Sequence, residues 1–118
     1  MTFVGLLDAL HHYEGQLTQL QTVVGQEVMT KQVMALQTFF RQDLWPLISQ
    51  LELPQQSQWN SAVTEMHRHM RLLTLETSFA QSARQENTRQ QRLETITQRV
   101  EQLQGFNQVL LALLSSEQ

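Results

Sequence analysis

Apolar residues recur every three or four positions through four successive stretches of this 118-residue chain, and that spacing admits few folds. In the first stretch Phe3, Leu6, Leu10, Tyr13, Leu17, Leu20 and Val24 keep the spacing without a miss. Residues three and four apart share one face of an α-helix, whereas a half-buried strand alternates by two. Thr2 stands where it can cap this helix and Gly25 where it ends it. Gly15, in its middle, costs about 1 kcal/mol relative to alanine.

The second stretch, about 26–51, carries Met29, Val33, Leu36, Phe40, Leu44, Leu47 and Leu51. Pro46 lies inside it and predicts a kink or an early end near Trp45, because proline removes a hydrogen bond and crowds the preceding turn. Leu53-Pro54-Gln55 forms the next connector. The third stretch, about 55–84, presents Trp59, Val63, Met66, Met70, Leu73, Thr77 and Ala80. The pattern breaks at 85–88, where Thr88 and Gln91 have capping-box spacing. The fourth, about 88–115, presents Leu93, Ile96, Val100, Leu103, Leu110 and Leu114, with polar Asn107 inside the stripe and a frayed tail expected from Ser115 to Gln118.

Composition agrees with helices. Leu and Gln, both good helix formers, each supply about a sixth of the residues, against four Gly and two Pro. Val and Ile are scarce, which disfavours sheet. Helices of this length joined by short connectors must reverse direction at each turn. The expectation is a single all-α domain over residues 1–118, an antiparallel up-down four-helix bundle with long helices, roughly 35 to 45 Å from end to end at 1.5 Å per residue.

The useful residues are those that this core leaves over. On the third helix Leu72, Leu75 and Phe79 fall opposite the main stripe, with Arg68 and Arg71 beside them and Ala83 continuing the row. A bundle helix is ordinarily polar there. Phe106, Val109 and Leu113 on the fourth helix, and Met34 and Trp45 on the second, are off-stripe as well. Either the bundle is irregular and these residues fill a wider core, or they meet a second chain. Arg84, Arg89 and Arg92 surround the last turn, where they suit an acidic partner segment. Alternatively they form a solvated cluster with Glu86 and Glu94.

Other chemistries find little footing. A net charge of −3 disfavours a general nucleic-acid binder, and the absence of cysteine removes thiolate metal sites and disulfides. No apolar run approaches the roughly 18 residues of a membrane span. The first residues lack the basic segment of a secretory signal, so a soluble cytoplasmic protein is expected. His11, His12, His67 and His69 invite a metal reading through the spacings Asp8/His11 and Glu65/His69. No Glu-x-x-His motif occurs, however, and Asp8, His11 and His12 point away from the expected core. Phosphate loops, nucleophile elbows and H-E-x-x-H are also missing. The expectation is a non-enzymatic protein without cofactor or metal. A metal-dependent enzyme built on the histidines is the weaker rival.

One stretch has a family resemblance. Met70-Arg71-Leu72-Leu73, then Phe79-Ala80-Gln81-Ser82-Ala83-Arg84-Gln85, then Gln90-Gln91-Arg92 opening the final helix, is similar to the cyanobacterial PatD family. Leu36-Gln37-Thr38-Phe39-Phe40-Arg41-Gln42 fits as well, so the resemblance spans most of residues 33–111, while over the first helix only the pattern agrees. It implies a regulator of cell division and heterocyst frequency that binds the tubulin-like protein FtsZ and alters its polymer assembly, in the cytoplasm and at the division ring. The partner-binding residues expected from the helical wheel are Arg71, Leu72, Leu75, Phe79, Ala83, Arg84, Arg89 and Arg92. A self-associating adaptor, with the same face of the third helix as a homodimer seam, is the alternative.

Overall fold

The computed structural model describes residues 3–117, so the expected cap at Thr2 and the last residue of the expected tail, Gln118, lie outside the described residues. Five α-helical elements and one π-helical turn make four rods. These are α1 (Val4–Val23), the bent rod α2 (Met29–Phe39), π turn (Phe40–Leu44) and α3 (Trp45–Ile48), then α4 (Gln56–Ser82) and α5 (Glu86–Ser115). Among the described residues there is no strand. The molecule measures 52 × 22 × 19 Å. It is longer than the roughly 35 to 45 Å expected, and α5 with its 30 residues supplies about 45 Å of that length.

The stripes converge on one core. Leu10, Tyr13, Leu17 and Leu20 of α1 are fully buried with Leu36, Leu44, Trp59, Met66, Leu73, Ile96, Val100, Leu103 and Leu110. α4 packs on α5 and on α2, and α1 packs on α2 and on α5. Across the rods His12 meets Phe39 and Tyr13 meets Phe40. Thr30 bonds Gln81, Gln37 bonds the Met70 carbonyl, and Arg99 bonds Glu76.

Three sequence expectations shift at the ends of elements. α1 stops at Val23, so Val23 takes the last core position and Val24, in extended backbone, is half-buried. The capping box is not made. α5 begins at Glu86, with Gln85 as its flanking residue and no side-chain cap, which places Thr88 inside the first turn. At the other end, Ser116 and Glu117 continue in a turn whose N–H groups reach the Ala112 and Leu114 carbonyls.

Pro46 acts differently from a simple break. The chain widens before it, and the Trp45 N–H bonds the Phe40 carbonyl five residues back. A π turn holds one extra residue, which relieves the clash between the proline ring and the preceding turn. The helix then continues to Ile48. The extra residue advances the buried face, so Ile48 enters the core while Leu47, expected on the stripe, is exposed. The buried Trp59 indole N–H closes this end by donating to the Ile48 carbonyl at 2.8 Å.

Among the polar groups that enter the core, the Asn107 amide N–H and the Tyr13 hydroxyl find partners on other rods, while Asn107 Oδ1 has none among the described residues. Asn107 donates through Nδ2 to the Leu10 carbonyl at 3.1 Å and to Glu14 at 2.9 Å, which fixes α5 against α1. Tyr13 donates to the Met70 sulfur at 3.1 Å, and burial, followed by the nearby Glu14 charge, pushes its hydroxyl pKa upward.

Gly25 turns the chain between α1 and α2 with φ +88°, a conformation that L side chains avoid. A Cβ there would also sit 3.3 Å from Leu93 Cδ1. Gly15 is helical, and a Cβ there meets nothing within 4 Å. The two glycines therefore have opposite mutational signs. Gly25→Ala should cost about 1–2 kcal/mol, and Gly15→Ala should gain roughly 1 kcal/mol. Urea unfolding of both variants checks this, and a common sign would contradict the backbone argument.

Candidate protein-docking face

The ridge expected on α4 stands clear of the core. Leu75 is 52% and Phe79 47% exposed. Leu72 and Ala83 are half-buried, and neither belongs to the core cluster. The cause is geometric. α4 turns Trp59, Val63, Met66, Met70, Leu73, Thr77 and Ala80 inward, and a helix carries about 100° between residues, so Leu75 and Phe79 must face away.

The arginines expected to act together are dispersed. Arg92 is exposed and sits over the Phe79 ring, 5.1 Å from its centroid, so it belongs to the ridge. Contacts of this kind contribute about 0.5–1 kcal/mol at exposed sites. Arg84 follows Ala83 in the connector to α5 and is exposed. Arg89 is committed elsewhere, donating to the Gly25 carbonyl at 3.0 Å and so tying α5 to the α1–α2 turn. Arg71 lines a cleft on the α2 side of α4, away from Phe79. Among the described residues none of the four pairs with Glu86 or Glu94, and Glu86 instead accepts from Gln90 at 2.9 Å. The ridge therefore comprises Leu72, Leu75, Phe79 and Ala83, flanked by Arg84 and Arg92.

The other off-stripe residues divide between the two readings. Phe106 and Leu113 are half-buried against the core, as a wider core requires. Val109 and Met34 are exposed. Trp45 is half-buried, 4.6 Å from the His67 ring, in the cleft that Arg71 lines.

Beside the ridge, α4 and α5 are cross-linked by a polar cluster that periodicity does not reveal. Arg99 donates to both Glu76 oxygens, at 2.9 and 2.8 Å, and to His69 Nδ1 at 2.6 Å. A guanidinium has only donors, so Nδ1 accepts and the imidazole proton sits on Nε2. Nε2 lies 3.3 Å from Glu65, to which it donates. Arg68, 3.4 Å from the same nitrogen, instead donates to Glu65 at 3.0 Å. His69 is only 4% exposed and packs on Phe106 at 5.0 Å. Burial, then the Arg99 and Arg68 charges, hold its pKa below the ordinary imidazole value. The hydrogen bond from Arg68 chiefly lowers that of Glu65, and the bond to Glu76 chiefly raises that of Arg99.

His69 thus works as a neutral strut. Asp8, His11, His12 and His67 are exposed on other surfaces. Among the described residues no three His, Cys, Asp or Glu side chains converge as a ligand set, and no helix is long and apolar enough to cross a membrane. No protein-family model matches the chain, and no curated protein or solved structure matches it significantly.

The neutral His69 gives a pH signature. Its folded pKa lies below the unfolded value, near 6.5. The unfolded chain therefore takes up the proton first, and stability falls as pH drops below about 6.5, by no more than about 1.4 kcal/mol per pH unit for one group. The fall ends below the folded pKa. Urea midpoints at pH 7.5 and 5.5, compared between the natural chain and His69→Gln, should show a smaller drop in the variant. Equal drops would remove the strut.

Proposed function

We propose that this chain is a non-catalytic regulator that docks a protein partner on the outer face of α4. The observation that carries this reading is the pair Leu75 and Phe79, 52% and 47% exposed on a helix whose other face already fills the core. Large apolar side chains held outward in this way gain about 1.5–3 kcal/mol each when a partner buries them fully. Arg84 and Arg92 give the ridge a positive border suited to an acidic partner segment.

The same proposal takes the rods to run alternately up and down. The pairings Thr30 with Gln81 and Gln37 with Met70 support it, because the partner on α4 retreats as α2 advances, and Leu10 with Asn107 and Gln21 with Gln104 do the same for α1 and α5. The 27 residues of α4 then offer one outer face.

FtsZ is the partner we propose, and modulation of its polymer assembly in the cytoplasm, at the division ring, is the activity. The support is the resemblance of residues 33–111 to the PatD family, whose quoted motifs contain Leu72, Phe79, Ala83, Arg84 and Arg92. Co-sedimentation with FtsZ polymers tests the proposal. The natural chain should pellet with them, and Leu75→Ala/Phe79→Ala should remain helical yet lose at least about tenfold in affinity. Unchanged pelleting of the double variant would dispose of this face. A stable dimer by light scattering that Phe79→Glu dissociates, without FtsZ binding, would assign the ridge to self-association instead.

A further inference from the structure

A second surface, on the opposite flank of α4 from Arg92, has the makings of a ligand site of its own. Between the α2 rod and α4 runs a cleft of about 320 Å³ lined by Gln37, Phe40, Arg41, Trp45, His67, Met70 and Arg71. Its wall is aromatic, with Trp45 4.6 Å from His67 and 5.9 Å from Phe40 between ring centroids. The π turn shapes it by carrying Phe40 and Arg41 and handing the chain to Trp45.

The cleft continues along α2. A shallower hollow of about 250 Å³, lined by Val33, Met34, Thr38 and Thr74, shares Gln37 and Arg41 with it. Met34, at 64%, is the most exposed large hydrophobic residue described. From Val33 to Trp45 the helical rise is about 18 Å, the span of five or six residues of extended chain. An elongated, open trough of that length suits a peptide better than a compact metabolite.

Charge selects the peptide. Arg41 and Arg71 line the trough, no carboxylate does, and among the described residues neither arginine makes an ion pair. That is notable in a chain of net charge −3 with only eight Lys and Arg. Gln37 donates an amide N–H to the Met70 carbonyl at 2.7 Å, and its Oε1, without a partner among the described residues, is available to accept a main-chain N–H. We infer that the α2–α4 trough binds a short acidic peptide segment, seating an apolar or aromatic side chain against Trp45 and Phe40 while Arg41 and Arg71 hold its carboxylates. Guanidinium–carboxylate pairs beside a partly desolvated apolar pocket are stronger than those on open surface.

Trp45 reports on this site directly, because the other tryptophan, Trp59, is fully buried. The probe is the blocked hexapeptide acetyl-Asp-Glu-Phe-Asp-Glu-Leu-amide, titrated into the full chain while tryptophan emission is followed. A saturable change is expected. The amide analogue, with Asn for Asp and Gln for Glu, should bind at least about tenfold more weakly, as should the acidic peptide in about 0.5 M salt. Arg41→Gln/Arg71→Gln should lose at least about tenfold with its circular dichroism unchanged. Lys31→Gln, which removes a positive charge outside the trough, should bind normally.

Three results would overturn the inference. One is no response up to about 1 mM peptide. Another is equal affinity in the double arginine variant. The third is a dimer by sedimentation that the peptide splits, which would give the trough to a second copy of the chain. Because this trough and the ridge lie on different flanks of α4, FtsZ pelleting and peptide binding can fail independently.

Discussion

α4 has two apolar faces but only one interior to put them in. Its inner stripe meets α2, α5 and the shared core, and among the described residues the side facing away from them carries little beyond Arg92 on the Phe79 ring. The hydrophobic effect rewards burial wherever it can be had, so an outward Leu75 and Phe79 persist because the fold offers them nowhere to go. Both proposed binding surfaces follow from this helix, which carries the ridge on its α5 side and half of the trough on its α2 side.

The polar groups between the rods make that exposure a fixed geometry. Arg99 joins Glu76 and His69, Asn107 joins Leu10 and Glu14, and Arg89 joins the Gly25 carbonyl. Each link ties α5 to another rod or to the α1–α2 turn at a defined register, because a buried polar atom that slips loses its partner and pays its desolvation. The apolar stripes alone, made of leucines at similar intervals, tolerate sliding by a turn. The cross-links therefore hold α5 in place, and with it Arg92 over Phe79.

Much of the fold was legible beforehand. Helical spacing of apolar residues located all four rods, and it identified the outward row on α4 because that row contradicts the amphipathic pattern. Less legible was anything set by the end of an element or by a contact between rods. Gln85 rather than Thr88 flanks α5, because where a helix starts depends on how the preceding connector packs. The three arginines near the last turn read alike in sequence but have different fates: a carbonyl of the α1–α2 turn takes Arg89, an aromatic ring holds Arg92, and Arg84 stays in solvent. His69 read as half of a metal pair with Glu65. Arg99, 30 positions further on, makes it a neutral hydrogen-bonded strut.

The sequence by itself determined that this chain is helical, where its rods lie, and that α4 carries more apolar surface than one core can absorb. Those properties follow from spacing along a helix of known pitch. Tertiary structure alone decided that the π turn before Pro46 would advance the buried face from Leu47 to Ile48. It also brought Trp45, His67, Arg41 and Arg71 around one trough. Residues from two rods become neighbours only once the rods have packed, and no local pattern encodes which arginine will find a carboxylate and which will be left facing a groove.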